Sequence, residues 1–85
     1  MTNYTTPIPN LNGTSRSDLH EEWESARALL SQALEELKAA TCHPRDFQCQ
    51  ESGTWLKAQQ EKLTVLAYAE DALDLASAWV IATEN

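Results

Sequence analysis

Residues 66–82 read LAYAEDALDLASAWVIA, and this stretch decides the fold that the sequence predicts. Alanine and leucine are abundant in it and favour an α-helix. Its apolar residues recur at helical spacing on more than one face of that helix. Because a helix on a protein surface needs only one apolar stripe, the stretch predicts a long helix that a single neighbour does not cover completely.

The apolar residues of this helix form two stripes with the alternating three- and four-residue steps of a heptad repeat. The first stripe contains Leu56, Leu63, Leu66, Ala69, Leu73, Ala76 and Val80. The second stripe contains Val65, Tyr68, Ala72, Leu75, Trp79 and Ala82. We predict that the first stripe packs against another helix of the same chain.

That other helix precedes the first in sequence and has an apolar stripe of its own. The stripe contains Leu19, Trp23, Ala26, Leu30, Ala33, Leu37 and Ala40. Ser15 followed by Asp18 fits a helix N-cap, with Ser17 as an alternative cap. Pro44 predicts the end of this helix, because the residue before a proline disfavours helical geometry. Ser52 and Thr54 are the candidate caps of the later helix.

These patterns predict an all-α protein of one domain, an antiparallel two-helix hairpin with an extended N-terminal arm. The arm covers residues 1–14, where Pro7 and Pro9 favour extended backbone. The hairpin domain covers residues 15–85, with helices at about 16–40 and 54–82 and a loop at 41–53.

The second stripe of the later helix leaves two alternatives open. The arm covers it from within the chain, through the apolar residues Tyr4, Ile8 and Leu11. Otherwise a second copy covers it, and two hairpins form a homodimeric four-helix bundle. The candidate self-association residues are Val65, Tyr68, Leu75 and Trp79.

The net charge of −7 narrows the classes of partner. Nucleic acid and anionic membrane surfaces would repel the chain, whereas a basic protein surface would attract it. Acidic residues interrupt the most apolar run, so no stretch predicts a membrane-spanning helix. The N-terminus has no secretory signal pattern. We therefore expect a cytoplasmic protein that binds neither membrane nor nucleic acid directly.

The acidic residues concentrate at one end of the predicted hairpin, the open end that holds both chain termini. The candidate protein-binding residues there are Glu21, Glu22, Glu24, Glu70, Asp71 and Asp74. Acidic residues in the first turns of a helix also compensate its dipole. That explanation does not extend to the three residues of the later helix, which lie far from its ends. The cluster therefore predicts either a docking surface for a basic protein or a solvated face.

The residues that carry chemistry are few. Cys42 and Cys49 flank His43 in the loop, but six residues separate the cysteines, which is not a usual zinc-site spacing, and the distant His20 is the one further candidate ligand. We expect free thiols and no metal. No nucleotide-binding, zinc-protease or catalytic-triad motif occurs. The sequence therefore predicts a protein that is not an enzyme and has no cofactor.

Two short segments, PNLNGTS at 9–15 and HPRDF at 43–47, together with the helices on either side of the loop, resemble short phage and prophage proteins of mostly unassigned function. The resemblance implies a phage accessory protein that acts in the host cytoplasm, such as an inhibitor of CRISPR or another host defence system. The helix–loop–helix layout also resembles phage sponges that sequester cyclic nucleotides. Arg45 is the single arginine of the loop, however, so a basic phosphate-binding cluster is missing.

Two functions follow as hypotheses. The first is a small acidic accessory protein that binds a host protein with a basic surface. The second is a self-assembling helical bundle with a structural or ligand-sequestering role.

Overall fold

The computed structural model describes residues 4–8 and 13–84. Helix α1 spans Arg16–Ala39 and helix α2 spans Thr54–Ala82, with a short 3-10 helix at Pro44–Phe47 between them. Both long helices begin and end within one residue of the bounds read from the sequence. The described residues contain no strand. They extend over 61 × 21 × 17 Å, which is the shape of an elongated rod.

The two helices pack against each other in antiparallel orientation. Near the open end, the rings of Trp23 and Trp79 stack with their centroids 4.4 Å apart. Near the loop, the ammonium of Lys62 donates to the backbone carbonyls of Ala40 and Lys38. The predicted all-α helical hairpin is therefore confirmed.

Both ends of α1 are held by side chains. At its start, the Ser15 hydroxyl accepts a hydrogen bond from the Asp18 amide at 3.1 Å, which confirms the first of the two predicted caps. At its end, Lys62 places a cation beside carbonyls that have no partner within the helix. A cation is stabilised at this position because the C-terminus of a helix carries partial negative charge.

The loop is fixed by short-range bonds. The His43 ring accepts from the Arg45 amide at 3.2 Å and opens the 3-10 helix. The indole of Trp55 donates to the carbonyl of Cys42 at 3.1 Å, which joins the first turn of α2 to the end of the loop nearest α1. Phe47 is half-buried. The loop is therefore packed against that end of the hairpin.

The predicted caps of α2 are wrong. The N-cap is Gly53, and no side chain caps the helix. Gly53 has φ of 89°, a left-handed conformation that glycine adopts without a steric penalty. The Thr54 hydroxyl instead donates to the Glu51 carbonyl at 2.7 Å. Backbone geometry, and not a capping side chain, starts this helix.

The packed face of α1 follows the predicted stripe at Leu19, Trp23, Ala26, Leu30 and Leu37, which are half-buried, and departs from it between Leu30 and Leu37. Leu34 is buried with 6 % exposure, whereas Ala33 is exposed. Steps of three and of four residues both keep a helical face, so a stripe running from Leu30 to Leu37 can pass through either. The structure buries the larger side chain of the two.

The packed face of α2 also differs from prediction near the loop. Ala76 and Val80 are buried and Leu66 and Leu73 are half-buried, as the first stripe requires. Leu56 and Leu63, which were predicted on the same stripe, are more than half exposed. The half-buried positions at that end are Thr54, Trp55, Ala58, Gln59 and Lys62. The closely packed part of the hairpin therefore lies toward its middle and its open end.

In the described part of the chain, neither long helix combines the length and the apolar character needed to cross a membrane.

Candidate protein-binding surface

The open half of the hairpin carries an excess of acidic side chains, which we call the acidic half. Its members are Asp18, Glu21, Glu22, Glu24, Glu70, Asp71, Asp74 and Glu84. All are exposed except Glu24, which is half-buried. In residues 4–8 and 13–84, the one ion pair joins Glu24 to Arg27. Arg16, the other cation nearby, donates to the backbone carbonyl of Glu84 at 3.1 Å.

The six predicted binding residues form two groups along the hairpin. Because Trp23 stacks on Trp79, the α1 carboxylates around Trp23 lie level with the last turns of α2. The α2 group, Glu70, Asp71 and Asp74, begins about one turn closer to the loop, so the groups are separated by ~6–12 Å along the axis. That separation is close to the Debye length of ~10 Å at 0.1 M salt. The two groups are therefore neighbours along the hairpin axis.

The four predicted self-association residues are not equally exposed. Tyr68 and Val65 have 69 % and 53 % of their surface exposed. Leu75 and Trp79 are half-buried, and Trp79 is stacked on Trp23 of the same chain. The second stripe is thus divided at about Ala72 into an exposed segment toward the loop and a partly covered segment toward the open end.

The N-terminal arm reaches this point of division. The Tyr4 hydroxyl donates to the Asp71 carbonyl at 3.1 Å. Partial burial raises the pKa of the Tyr4 phenol above 10.0, and the charges of Asp71 and Asp74 raise it further. Ile8, expected to be an apolar anchor, is 88 % exposed, and Leu11 lies outside the described residues. Tyr4 is therefore the arm residue whose contact with α2 is established.

At the open end, a polar contact that the sequence did not predict joins α1 to the end of α2. Thr83 is 1 % exposed, and its hydroxyl donates to the Trp79 carbonyl at 2.8 Å. Nδ1 of His20 lies 3.1 Å from that hydroxyl oxygen. With the hydroxyl proton directed at Trp79, Nδ1 is the donor to Thr83. The sequence does contain a signal for the burial of Thr83. Ala76, Val80 and Thr83 are spaced by four and then three residues, which continues the first stripe of α2.

The two cysteines are free thiols, Cys42 half-buried and Cys49 exposed. No group of three or more potential ligands, histidine, cysteine, aspartate or glutamate, comes together in the part of the chain that the structure describes. The absence of a bound metal stays a prediction.

Three further apolar side chains of α2 are exposed, and the sequence had not marked them as surface. Leu56 and Leu63 are 57 % and 56 % exposed, and Ile81 is 68 % exposed. Leu56 and Leu63 are seven residues apart and lie on one face, whereas Val65 and Tyr68 lie on a different face. The exposed apolar surface of α2 is therefore distributed around the helix.

Comparison with protein-family models, with curated proteins and with solved structures found no match to this chain. The resemblance to phage and prophage proteins and the functions that it implies stay predictions.

Proposed function

We propose that this protein is a small accessory binder whose acidic half docks on a basic surface of a partner protein. The observation that carries the proposal is the exposure of these carboxylates, of which Glu24 alone has an ion-pair partner among the described residues. Carboxylates without an ion-pair partner in the folded chain can pair with cations of another protein without breaking an internal ion pair.

The carboxylates in the middle of α2 support a binding role over a purely structural one. Glu70 and Asp74 are four residues apart, so their like charges destabilise the helix by about 0.2–0.5 kcal/mol. They also lie too far from either end of Thr54–Ala82 for the helix dipole to offset this cost. Folding does not require these charges here, whereas capture of a cationic surface does.

The resemblance to phage accessory proteins suggests which partner to look for. A host protein whose basic surface holds nucleic acid offers the matching charge, and a component of a defence system such as CRISPR is one protein of that kind. On this proposal the chain acts in the host cytoplasm by occupying the surface that the nucleic acid would use.

Charge reversal on α2 tests the proposal. Converting Glu70, Asp71 and Asp74 to lysine should weaken binding to a partner captured from host lysate by at least about tenfold, because three attractive interactions become repulsive. Raising salt from 0.1 to 1 M should weaken the wild type as the Debye length falls from about 10 Å to about 3 Å.

A control variant with the same net charge separates a local effect from a global one. Glu35, Glu51 and Glu61 are exposed residues of the loop half, and their conversion to lysine changes the net charge equally. We expect this variant to lose much less affinity. Equal losses in both variants would show that net charge alone attracts the partner, and unchanged binding in the α2 variant would reject the acidic half as the surface.

Self-association is a second candidate, favoured by the exposure of Val65 and Tyr68 on one face of α2. The available apolar area argues against a stable dimer, because two large side chains provide much less than the roughly 800 Å² per partner of a stable interface. If it forms, the assembly would serve a structural or ligand-sequestering role.

Solution mass tests this second candidate. Tyr68→Glu should convert a dimer to a monomer, whereas Ile81→Glu should not, although Tyr68 and Ile81 are almost equally exposed at 69 % and 68 %. Analytical ultracentrifugation provides the masses. A wild-type monomer at high concentration would eliminate the self-assembled bundle.

A further inference from the structure

The N-terminal arm folds back onto the hairpin and contacts α2 through Tyr4. The Tyr4 hydroxyl donates to the Asp71 carbonyl at 3.1 Å, a contact between residues 67 positions apart. Thr6 and Pro7 are half-buried like Tyr4, whereas Ile8 is 88 % exposed. The arm is therefore attached through few contacts and leaves its most apolar described residue in solvent.

The distance that the arm must cover is short for its length. Asp71 lies twelve residues before Thr83, which places it about 18 Å from the open end of the hairpin. Ser15 lies eleven positions after Tyr4, and a chain of that length reaches up to about 36–40 Å. The arm can therefore attach to α2 or leave it without any change in the helices.

The contact lies within the acidic half. The Tyr4 hydroxyl contacts the backbone of Asp71. Burial raises the pKa of the phenol, and the charges of Asp71 and Asp74 contribute to the rise. The exposure of the second stripe changes at the same place, because Tyr68 is 69 % exposed and Leu75 is half-buried. The arm thus occupies part of the surface assigned above to a basic partner.

We propose that the arm is an intramolecular occupant of the acidic surface of α2, and that a basic segment binding at Asp71 and Asp74 displaces Tyr4. This inference rests on the proposed function. A hydrogen bond exposed to water holds its partners weakly, so a basic segment that pairs with the Asp71 and Asp74 carboxylates and covers the Asp71 carbonyl replaces Tyr4 at small cost. The observed affinity for a partner is then the intrinsic affinity multiplied by the fraction of molecules in which the arm is detached.

A pair of tyrosine variants in the full chain tests the displacement, with a twelve-residue arginine-rich peptide as the probe. Tyr4→Phe removes the hydroxyl that binds Asp71, and it should raise the peptide affinity about two- to fivefold, the effect of losing one weak hydrogen bond. Tyr68→Phe removes the other tyrosine hydroxyl of the chain and should leave the affinity unchanged. Isothermal titration calorimetry measures both.

Nuclear magnetic resonance observes the arm directly. In the wild type, adding the peptide should shift the backbone amide signals of Thr5 and Thr6 toward their positions in Tyr4→Phe. Peptide binding that leaves both signals in place would overturn the displacement, as would equal affinities of Tyr4→Phe and the wild type.

A third variant separates failure of this inference from failure of the proposed function. Replacing Asp71 and Asp74 with asparagine should weaken peptide binding. If it does while Tyr4→Phe changes nothing, the acidic surface stands and the arm is not its competitor. If the asparagine variant binds the peptide as well as the wild type does, the acidic surface of α2 is not the binding site and both proposals fail.

Discussion

Trp79→Ala should lower the free energy of unfolding by about 3 kcal/mol or more, the usual cost of removing a large aromatic side chain from a packed site. Trp79 stacks on Trp23 with ring centroids 4.4 Å apart, and it lies one turn before the buried Thr83. Its loss would leave a cavity where α1 and α2 meet at the open end. Chemical denaturation followed by circular dichroism measures the change.

Two further measurements show whether the stacked pair is responsible. Trp23→Ala should have a similar cost, and the double variant should cost less than the sum of the single variants by about 0.5–1.5 kcal/mol, the coupling of an aromatic pair. Tyr68→Ala, at a residue 69 % exposed on the same helix, should change stability by less than about 0.5 kcal/mol. Additive costs for the two tryptophans would show that they do not pack together.

Leu34→Ala should cost about 2–5 kcal/mol, because Leu34 is the large apolar side chain of α1 with the lowest exposure, 6 %. Leu29 lies on the same helix and is 67 % exposed. Leu29→Ala should therefore stay within about 0.5 kcal/mol of the wild type. Thermal or denaturant unfolding of the two variants side by side provides the comparison.

This comparison also decides between the predicted and the observed face of α1. If the stripe passed through Ala33, Leu34 would lie at its margin and its truncation would have a small effect. Equal costs at Leu29 and Leu34 would contradict the packing of the structure.

The hairpin could be predicted because its signals are local. The cap at Ser15, the proline at 44 and the alternating three- and four-residue steps each act within a few residues. The choice between Ala33 and Leu34 could not be predicted in the same way. Both positions continue the stripe from Leu30, and only the three-dimensional position of α2 decides which of them is buried.

The candidate surface could likewise be predicted only in part. The acidic half could be predicted, because antiparallel pairing alone brings the start of α1 beside the end of α2. The contact of Tyr4 with Asp71 could not, because the two residues are 67 positions apart and neither has a distinctive sequence pattern. The partial burial of Trp79 also depends on a distant residue, because Trp23 of α1 stacks on it. No local spacing in the sequence predicts that Trp23 packs against a residue of the second stripe.

Hydrogen–deuterium exchange of the protein bound to its captured partner tests the central claim most directly. Binding through the acidic half predicts new protection in residues 18–24 and 70–74. Protection confined to residues 56–68, where Leu56, Leu63, Val65 and Tyr68 are exposed, would instead place the partner on the apolar surface of the loop half and contradict the claim.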